Sequence, residues 1–317
     1  MLRYTVRRVI GMIPTALVLL LMVVLLIRLL PGNIVDLLLQ DSGASVSAEA
    51  KERLAEHLGI ADPLPVQYVS YVLGVVRGDL GKSLWDQRPV TKIILERAPV
   101  TAEVALIAII LSVVLSIPVG VISAIRQDTP IDYTLRSISI LGISLPNFVV
   151  AQAIVIFPAI WWGKSVPFTY THFKEDPIQN LIIVGPPAAV LGIRLSATIA
   201  RMTRTTMLEV MQQDYIRTAR AKGLSGYGVI VRHALKNALI PVVTLLGLQL
   251  AFLVGGSVII ESIFALPGLG RLLIESITQR DYPIVQGVVV VVGFLVMFTN
   301  LVVDLSYAYL DPRIRYS

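Results

Sequence analysis

Val9-Ile-Gly-Met-Ile-Pro-Thr-Ala-Leu-Val-Leu-Leu-Leu-Met-Val-Val-Leu-Leu-Ile-Arg-Leu-Leu30 is an apolar run with a single charge, Arg28. Wound as a helix at 1.5 Å per residue, it reaches about 33 Å, enough to cross a hydrocarbon layer of roughly 30 Å. Met1 to Arg8 is a charged prefix, but the run is longer than the roughly 7–15 apolar residues of a secretory signal, and no small-x-small site precedes Pro31-Gly32-Asn33. The expectation is an uncleaved first span, with Arg28 close enough to its edge for the side chain to reach the interface. Five further segments have the same length and character, at 102–125, 136–162, 180–202, 240–263 and 284–307. Pro14, Pro118, Pro146 and Pro158 fall inside these segments, where spanning helices tolerate proline better than soluble ones. The pattern predicts an all-α integral membrane protein with six transmembrane helices.

Composition agrees. Of 317 residues, 55% are hydrophobic and 15% charged, with a mean hydropathy of +0.77. A soluble domain carries about 25% charged residues, so a soluble fold would expose far more apolar surface than a core could hide. No cysteine is present, which excludes disulfides and thiolate metal sites. The net charge of +6 is explained by topology, not by nucleic acid. With the N-terminus in the cytoplasm, inside segments hold Arg3, Arg7, Arg8, Arg126, Arg136, Arg201, Arg204, Arg217, Arg220, Lys222, Arg232, Lys236, Arg313 and Arg315. The two short outside loops hold Lys164, Lys174, Arg271 and Arg280. The positive-inside rule then places both termini in the cytoplasm.

The stretch after the first span is different in kind. Charged residues, Gly and Pro are spread through it; Ser47 can cap a short helix that Gly59 ends, and Asp62-Pro-Leu-Pro65 breaks the chain before an aromatic amphipathic stretch, Tyr68 to Leu73. This predicts a small α-rich extracytoplasmic insert at 31–99. The chain thus divides into 1–30 (tail and first helix), 31–99, a transmembrane core at 100–307 containing an inside loop at 203–239, and a cytoplasmic tail at 308–317.

That loop reads Glu209-Val-Met-Gln-Gln-Asp-Tyr-Ile-Arg-Thr-Ala-Arg-Ala-Lys-Gly-Leu224 and continues Ser-Gly-Tyr-Gly-Val-Ile-Val-Arg-His-Ala-Leu-Lys-Asn-Ala-Leu-Ile-Pro241. Two short helices joined by a turn at Gly223–Gly228 fit it. The loop is too short for a catalytic domain. Periodicity and charge leave two readings open: a helical bracket gripped by a soluble partner, or a basic amphipathic surface on anionic lipid headgroups.

The same residues resemble the coupling loop of type I ABC importer permeases, in the form used by the peptide and nickel permease family. Gly223 stands four residues after Ala219, as in the family pattern, although Arg217 and Thr218 replace its Glu and first Ala. Asp62-Pro-Leu-Pro-Val-Gln-Tyr68 and Arg77-Gly-Asp-Leu-Gly-Lys-Ser83 resemble the family's extracytoplasmic insert. Glu261-Ser-Ile-Phe-Ala-Leu-Pro-Gly-Leu-Gly270 resembles the turn after its fifth span, and Leu310-Asp-Pro-Arg-Ile-Arg315 its C-terminus. The large insert resembles the first of the two permeases in such systems. The resemblance implies a permease subunit forming half of a translocation pathway in a bacterial inner membrane. Its implied partners are a second homologous permease, two ATPase subunits holding ATP and Mg, and an extracytoplasmic substrate-binding protein. Tyr215, Arg217, Ala219, Arg220, Ala221, Lys222, Gly223 and Leu224 would form the ATPase-coupling helix, with Ala219, Ala221 and Gly223 giving a small face for close approach. The implied cargo is di- and oligopeptides, with nickel chelates or another small solute as the alternative.

No catalytic, cofactor or metal residue is expected on this chain. Gly81-Lys82-Ser83 and Gly163-Lys164-Ser165 resemble the end of a P-loop, but that motif needs a Gly five residues earlier, where Val76 and Pro158 stand. His57, His172 and His233 are far apart, and Asn237 one turn after His233 suggests a local hydrogen bond. Arg194 lies inside the fourth span with no acid at i±3 or i±4, some 13 Å of helix from the inside edge. It is a candidate for the pathway or for an inter-subunit contact. Ser139, Ser144, Asn147 and Gln152 surround Pro146. They could line a polar path, with Asn147 and Gln152 as candidates, or hydrogen-bond packed helices, which is favoured for most of them. A membrane protease or hydrolase would carry His-Glu-x-x-His or Gly-x-Ser-x-Gly, and neither occurs. An ion-driven secondary transporter would show repeated halves and mid-membrane acids, whereas the acid expected well inside a span is Asp304, near its cytoplasmic end.

Overall fold

A computed structural model describes residues 2–29, 62–164 and 169–310. The expected cap at Ser47, the stop at Gly59, and residues 311–317 of the tail lie outside them. The described residues form ten main helices: α1 Leu2–Leu29, α2 Leu64–Val76, α3 Val90–Ile125, α4 Pro130–Ser144, α5 Asn147–Trp162, α6 Pro177–Met211, α7 Asp214–Ala221, α8 Lys236–Ile263, α9 Leu269–Thr278 and α10 Tyr282–Leu310. A single turn, Gly226–Gly228, and a π-helical stretch, Val229–Leu235, join α7 to α8. Among the described residues, five segments are long and apolar enough to span a membrane as single helices.

The expected third span is not one straight helix. It is the pair α4 and α5, bent by 91°. Pro146 explains the break: it forces Leu145 into extended backbone (φ −82°, ψ 126°) and cannot continue the hydrogen-bond ladder. The second span also starts earlier than expected, at Val90, with Pro99 inside it. Lys92, Glu96 and Arg97 hide this extension from hydropathy, because they decorate a helix that has already begun.

The chain separates into two compact units, 1–98 with 272–297, and 99–271 with 298–317. In the first, the apolar helix α2 lies on α1, with the Tyr68 hydroxyl donating to the Leu17 carbonyl at 3.0 Å. Leu17 is nine residues, about 13 Å of helix, from Leu26, so α2 packs alongside the first spanning helix. Leu64, Val66, Val69, Leu73 and Val76 are exposed on it, a surface suited to lipid. The Gln286 amide donates to the Val23 carbonyl at 3.1 Å. In the Gly81-Lys82-Ser83 triplet, Lys82 forms an isolated antiparallel bridge with Pro89 and buried Ser83 donates to Asp281, while Trp85 donates to the Gln279 carbonyl at 2.9 Å.

The second unit is built on α6, which packs against α8, α4 and α5. Its buried face carries Ile183, Val184, Ala188, Val190, Leu191 and Ala197. Gly192 lies against the Ala108 carbonyl, and Gly120 against Thr203 and the Ala200 carbonyl; a Cβ at either would overlap its neighbour. Small residues let backbones of spanning helices approach closely where lipid offers no hydrophobic drive for association. At 35 residues α6 is about 52 Å long, so it outruns the hydrocarbon and carries the following loop clear of it.

Candidate functional site

Three elements set the loop after α6. Asp214 in the first turn of α7 and Arg220 in its last oppose the helix dipole. Ile216 and Ala219, one turn apart on the same face, are buried at 0% and 7% exposure among Ala124, Met207, Val229, Ala234 and Ala238. That anchors α7 against its own chain. It also corrects one expectation: Ala219 faces inward and offers no surface to a partner, because the inward stripe of so short a helix needs both residues. Tyr215, Arg217, Arg220, Ala221, Lys222, Gly223 and Leu224 are exposed. The Arg217–Asp214 contact, 3.5 Å between exposed side chains, contributes little.

The turn falls where the glycines predict it. Gly223 has φ +79°, its N–H donates to the Arg220 carbonyl at 2.9 Å, and Leu224 N–H reaches the Ala219 carbonyl. Nothing lies within 4 Å of a Cβ added there, so glycine is demanded by backbone conformation and not by space. The Ser225 hydroxyl then caps the next turn by accepting from Gly228 N–H at 3.2 Å. Asn237 donates to the Tyr215 hydroxyl at 2.8 Å and to the His233 carbonyl at 3.2 Å. It thereby ties α7 to α8, and the hydrogen bond expected near His233 forms through the backbone. The π-helical stretch Val229–Leu235, a rare form often found at functional sites, occupies the same junction.

Two buried acid clusters brace the second unit, one beside this loop and one at the far end of α8. Asp132, fully buried at the start of α4, accepts from Arg204 Nε at 2.8 Å and from a second Arg204 nitrogen at 2.7 Å, from Asp128 N–H at 3.1 Å, and from the Ser123 hydroxyl. This joins α3, α4 and α6 next to the loop. Glu261, also fully buried, accepts from Gly270 N–H at 2.7 Å and Arg271 N–H at 3.3 Å, capping α9 from the end of α8. The acids within spanning helices therefore include Asp132 and Glu261 as well as Asp304. Asp132 is satisfied by local donors, whereas Glu261 accepts both of these bonds through Oε2 and its Oε1 is buried without a hydrogen-bond partner among the described residues. The Glu261…Gly270 motif carried a usable signal, an acid followed by closely spaced glycines; the Asp132–Arg204 pair, 72 residues apart, carried none.

Arg194 is exposed on α6, and among the described residues its guanidinium has no partner. Gln152 is exposed and Asn147 half-buried. Ser139 and Ser144 donate to the Leu135 and Ile140 carbonyls of their own helix, so they neither bridge helices nor present a donor to a path. A cavity of about 280 Å³ is framed by α3, α4 and α6, and it includes none of Arg194, Asn147 and Gln152.

The family model described as "Binding-protein-dependent transport system inner membrane component" matches residues 116–316, and its N-terminal companion matches residues 1–105. The chain belongs to this family. The permease is 41% identical over 310 residues to a Brucella abortus relative named for peptide transport, with 98% of each chain covered. It is 37% identical to the dipeptide transport system permease protein DppB of Bacillus subtilis, over 99% of this chain and 98% of that one. For DppB of Escherichia coli K12 the identity is 36%, over 100% and 99%. Among solved structures, the MetNI methionine ABC transporter in an inward-facing form matches with TM-score 0.57 at 18% identity, over 69% of the permease and 96% of that chain. An amino acid ABC transporter matches with TM-score 0.54 at 15% identity, over 69% and 94%. These likenesses fix the fold as that of a type I ABC importer permease, a multi-pass membrane protein.

Proposed function

We propose that this permease forms half of an import pathway for di- and oligopeptides and docks an ATPase subunit through α7. The observation that carries the docking is a short helix anchored by Ile216 and Ala219 whose outward face, Arg217, Arg220, Ala221, Lys222 and Leu224, is exposed and basic. A soluble partner presenting carboxylates would meet it with charge-assisted contacts. The relatives named for dipeptide transport, matched along nearly their whole length, support the cargo. The remaining parts are a second permease, two ATPase subunits that hold ATP and Mg, and an extracytoplasmic binding protein. The basic excess around α7 supports a topology with that loop and both termini in the cytoplasm and residues 31–99 on the outer side.

Arg194 fits the same assembly. An unpartnered guanidinium at mid-span is costly against lipid tails, so in the complex it faces the watery pathway or an acceptor on the second permease. The separating experiment is Gly223→Val. Because no atom crowds that position, the change strains only a left-handed backbone, by about 1–2 kcal/mol, and leaves insertion intact. ATPase copurification or substrate-stimulated hydrolysis should fall, and Arg220→Glu should do the same by charge. Normal peptide uptake with unchanged ATPase copurification in both variants would refute the docking role.

A further inference from the structure

The cavity between α3, α4 and α6 has no place in that reading, yet its chemistry is specific. Arg204 lines it, but its charge is cancelled by buried Asp132. Arg136 and Arg201 stand at its lining, and both are exposed. Arg136 is held with its guanidinium carbon 5.8 Å from the centroid of the Tyr133 ring, and Arg201 has no charged partner among the described residues. The other charged groups at this end are exposed Arg126 and Asp128, so four arginines face two aspartates. The hydroxyls here are already committed: Ser123 donates to Asp132, Ser139 to the Leu135 carbonyl and Thr205 to the Arg201 carbonyl. The donors left for a ligand are therefore guanidinium groups, which suit phosphate.

The rest of the wall is apolar. Ile140 and Ile143 line the cavity, and Ile140 is exposed together with Ile138 and Leu141 on the same helix, a surface that only lipid or another membrane subunit can cover. Gly120 and Ser123 lie within two turns of the end of α3 at Ile125, and Arg136 within two turns of the start of α4 at Pro130, the end of these helices that the basic residues assign to the cytoplasmic side.

We propose that this cavity binds the headgroup of an anionic phospholipid of the inner leaflet, its phosphate between Arg136 and Arg201 and its first chain methylenes along Ile140 and Ile143. Free phosphate would satisfy the arginines but leave the isoleucine wall uncovered, which is why the lipid is the favoured source of the anion.

The test is native mass spectrometry of the full-length permease, purified with its accompanying subunits and exchanged into micelles holding equal phosphatidylglycerol and phosphatidylcholine. The wild-type protein should retain phosphatidylglycerol selectively. Arg136→Gln with Arg201→Gln should weaken that retention by about tenfold per arginine, since hydrogen bonds to charged groups are among the strong ones. Ile140→Glu should weaken it with both arginines present, and Arg126→Gln, outside the cavity, should leave it unchanged. Excess inorganic phosphate should not displace the lipid. Equal retention of the two lipids, an unaltered double variant, an unaffected Ile140→Glu variant, loss in Arg126→Gln, or displacement by inorganic phosphate would each overturn the proposal.

Discussion

Replacing Asp132 by Asn removes one charge from a fully buried site while keeping its shape. In the native protein the Asp132 carboxylate accepts two hydrogen bonds from Arg204, one from Asp128 N–H and one from the Ser123 hydroxyl. Removing one member of a buried ion pair costs roughly 3–5 kcal/mol, because the other is left charged and unpaired. Two features reduce the figure here. The Arg204 side chain retains 17% exposure, so water can reach it, and the Asn oxygen can still accept one bond. The expected loss is therefore about 2–3 kcal/mol, read as the free energy of unfolding in mixed micelles titrated with SDS. Arg204→Gln alone should cost a similar amount, since it leaves the carboxylate buried without its cation. The double variant should lose less than the two single changes together, by at least about 1 kcal/mol, because two amides can pair without charge. A loss below about 0.5 kcal/mol for Asp132→Asn, the range of ordinary surface changes, or strict additivity in the double variant, would refute the claim that this pair locks α3, α4 and α6 together.

Three further outcomes follow from the same geometry. Gly270→Leu places a side chain against the Val258 backbone and the Glu261 carboxylate; overpacking of this kind costs about 1–3 kcal/mol, and a thermal melt unchanged from wild type would show that α9 does not dock on α8 as described. Ala219→Leu should destabilise the loop by a similar about 1–3 kcal/mol and increase proteolysis near Gly223, whereas a partner-facing Ala219 would lower ATPase copurification with no change in proteolysis. Cysteine introduced at Ser45 should react with a membrane-impermeant maleimide from outside intact cells and cysteine at Ser225 should not; the reverse pattern would invert the topology.

Hydropathy alone determined that the chain spans a membrane, because no soluble packing could hide runs such as Val9–Leu30. Lys and Arg placement set the expected orientation, and the glycines at Gly223–Gly228 marked the loop turn, since a left-handed residue after a short helix is a local demand that glycine meets. Local sequence could not decide which face of α7 turns inward. Ala219 and Ala221 look alike in sequence, and only packing on Met207, Val229 and Ala234 separates them. The bend at Pro146 was legible as a proline but not as an angle of 91°, because a helix with a broken ladder goes where its neighbours hold it. The Asp132–Arg204 pair and the cavity that Arg204 lines belong wholly to tertiary structure: 72 residues separate the partners, and only the packing of α4 against α6 takes the carboxylate out of water, where a lone charge could not remain.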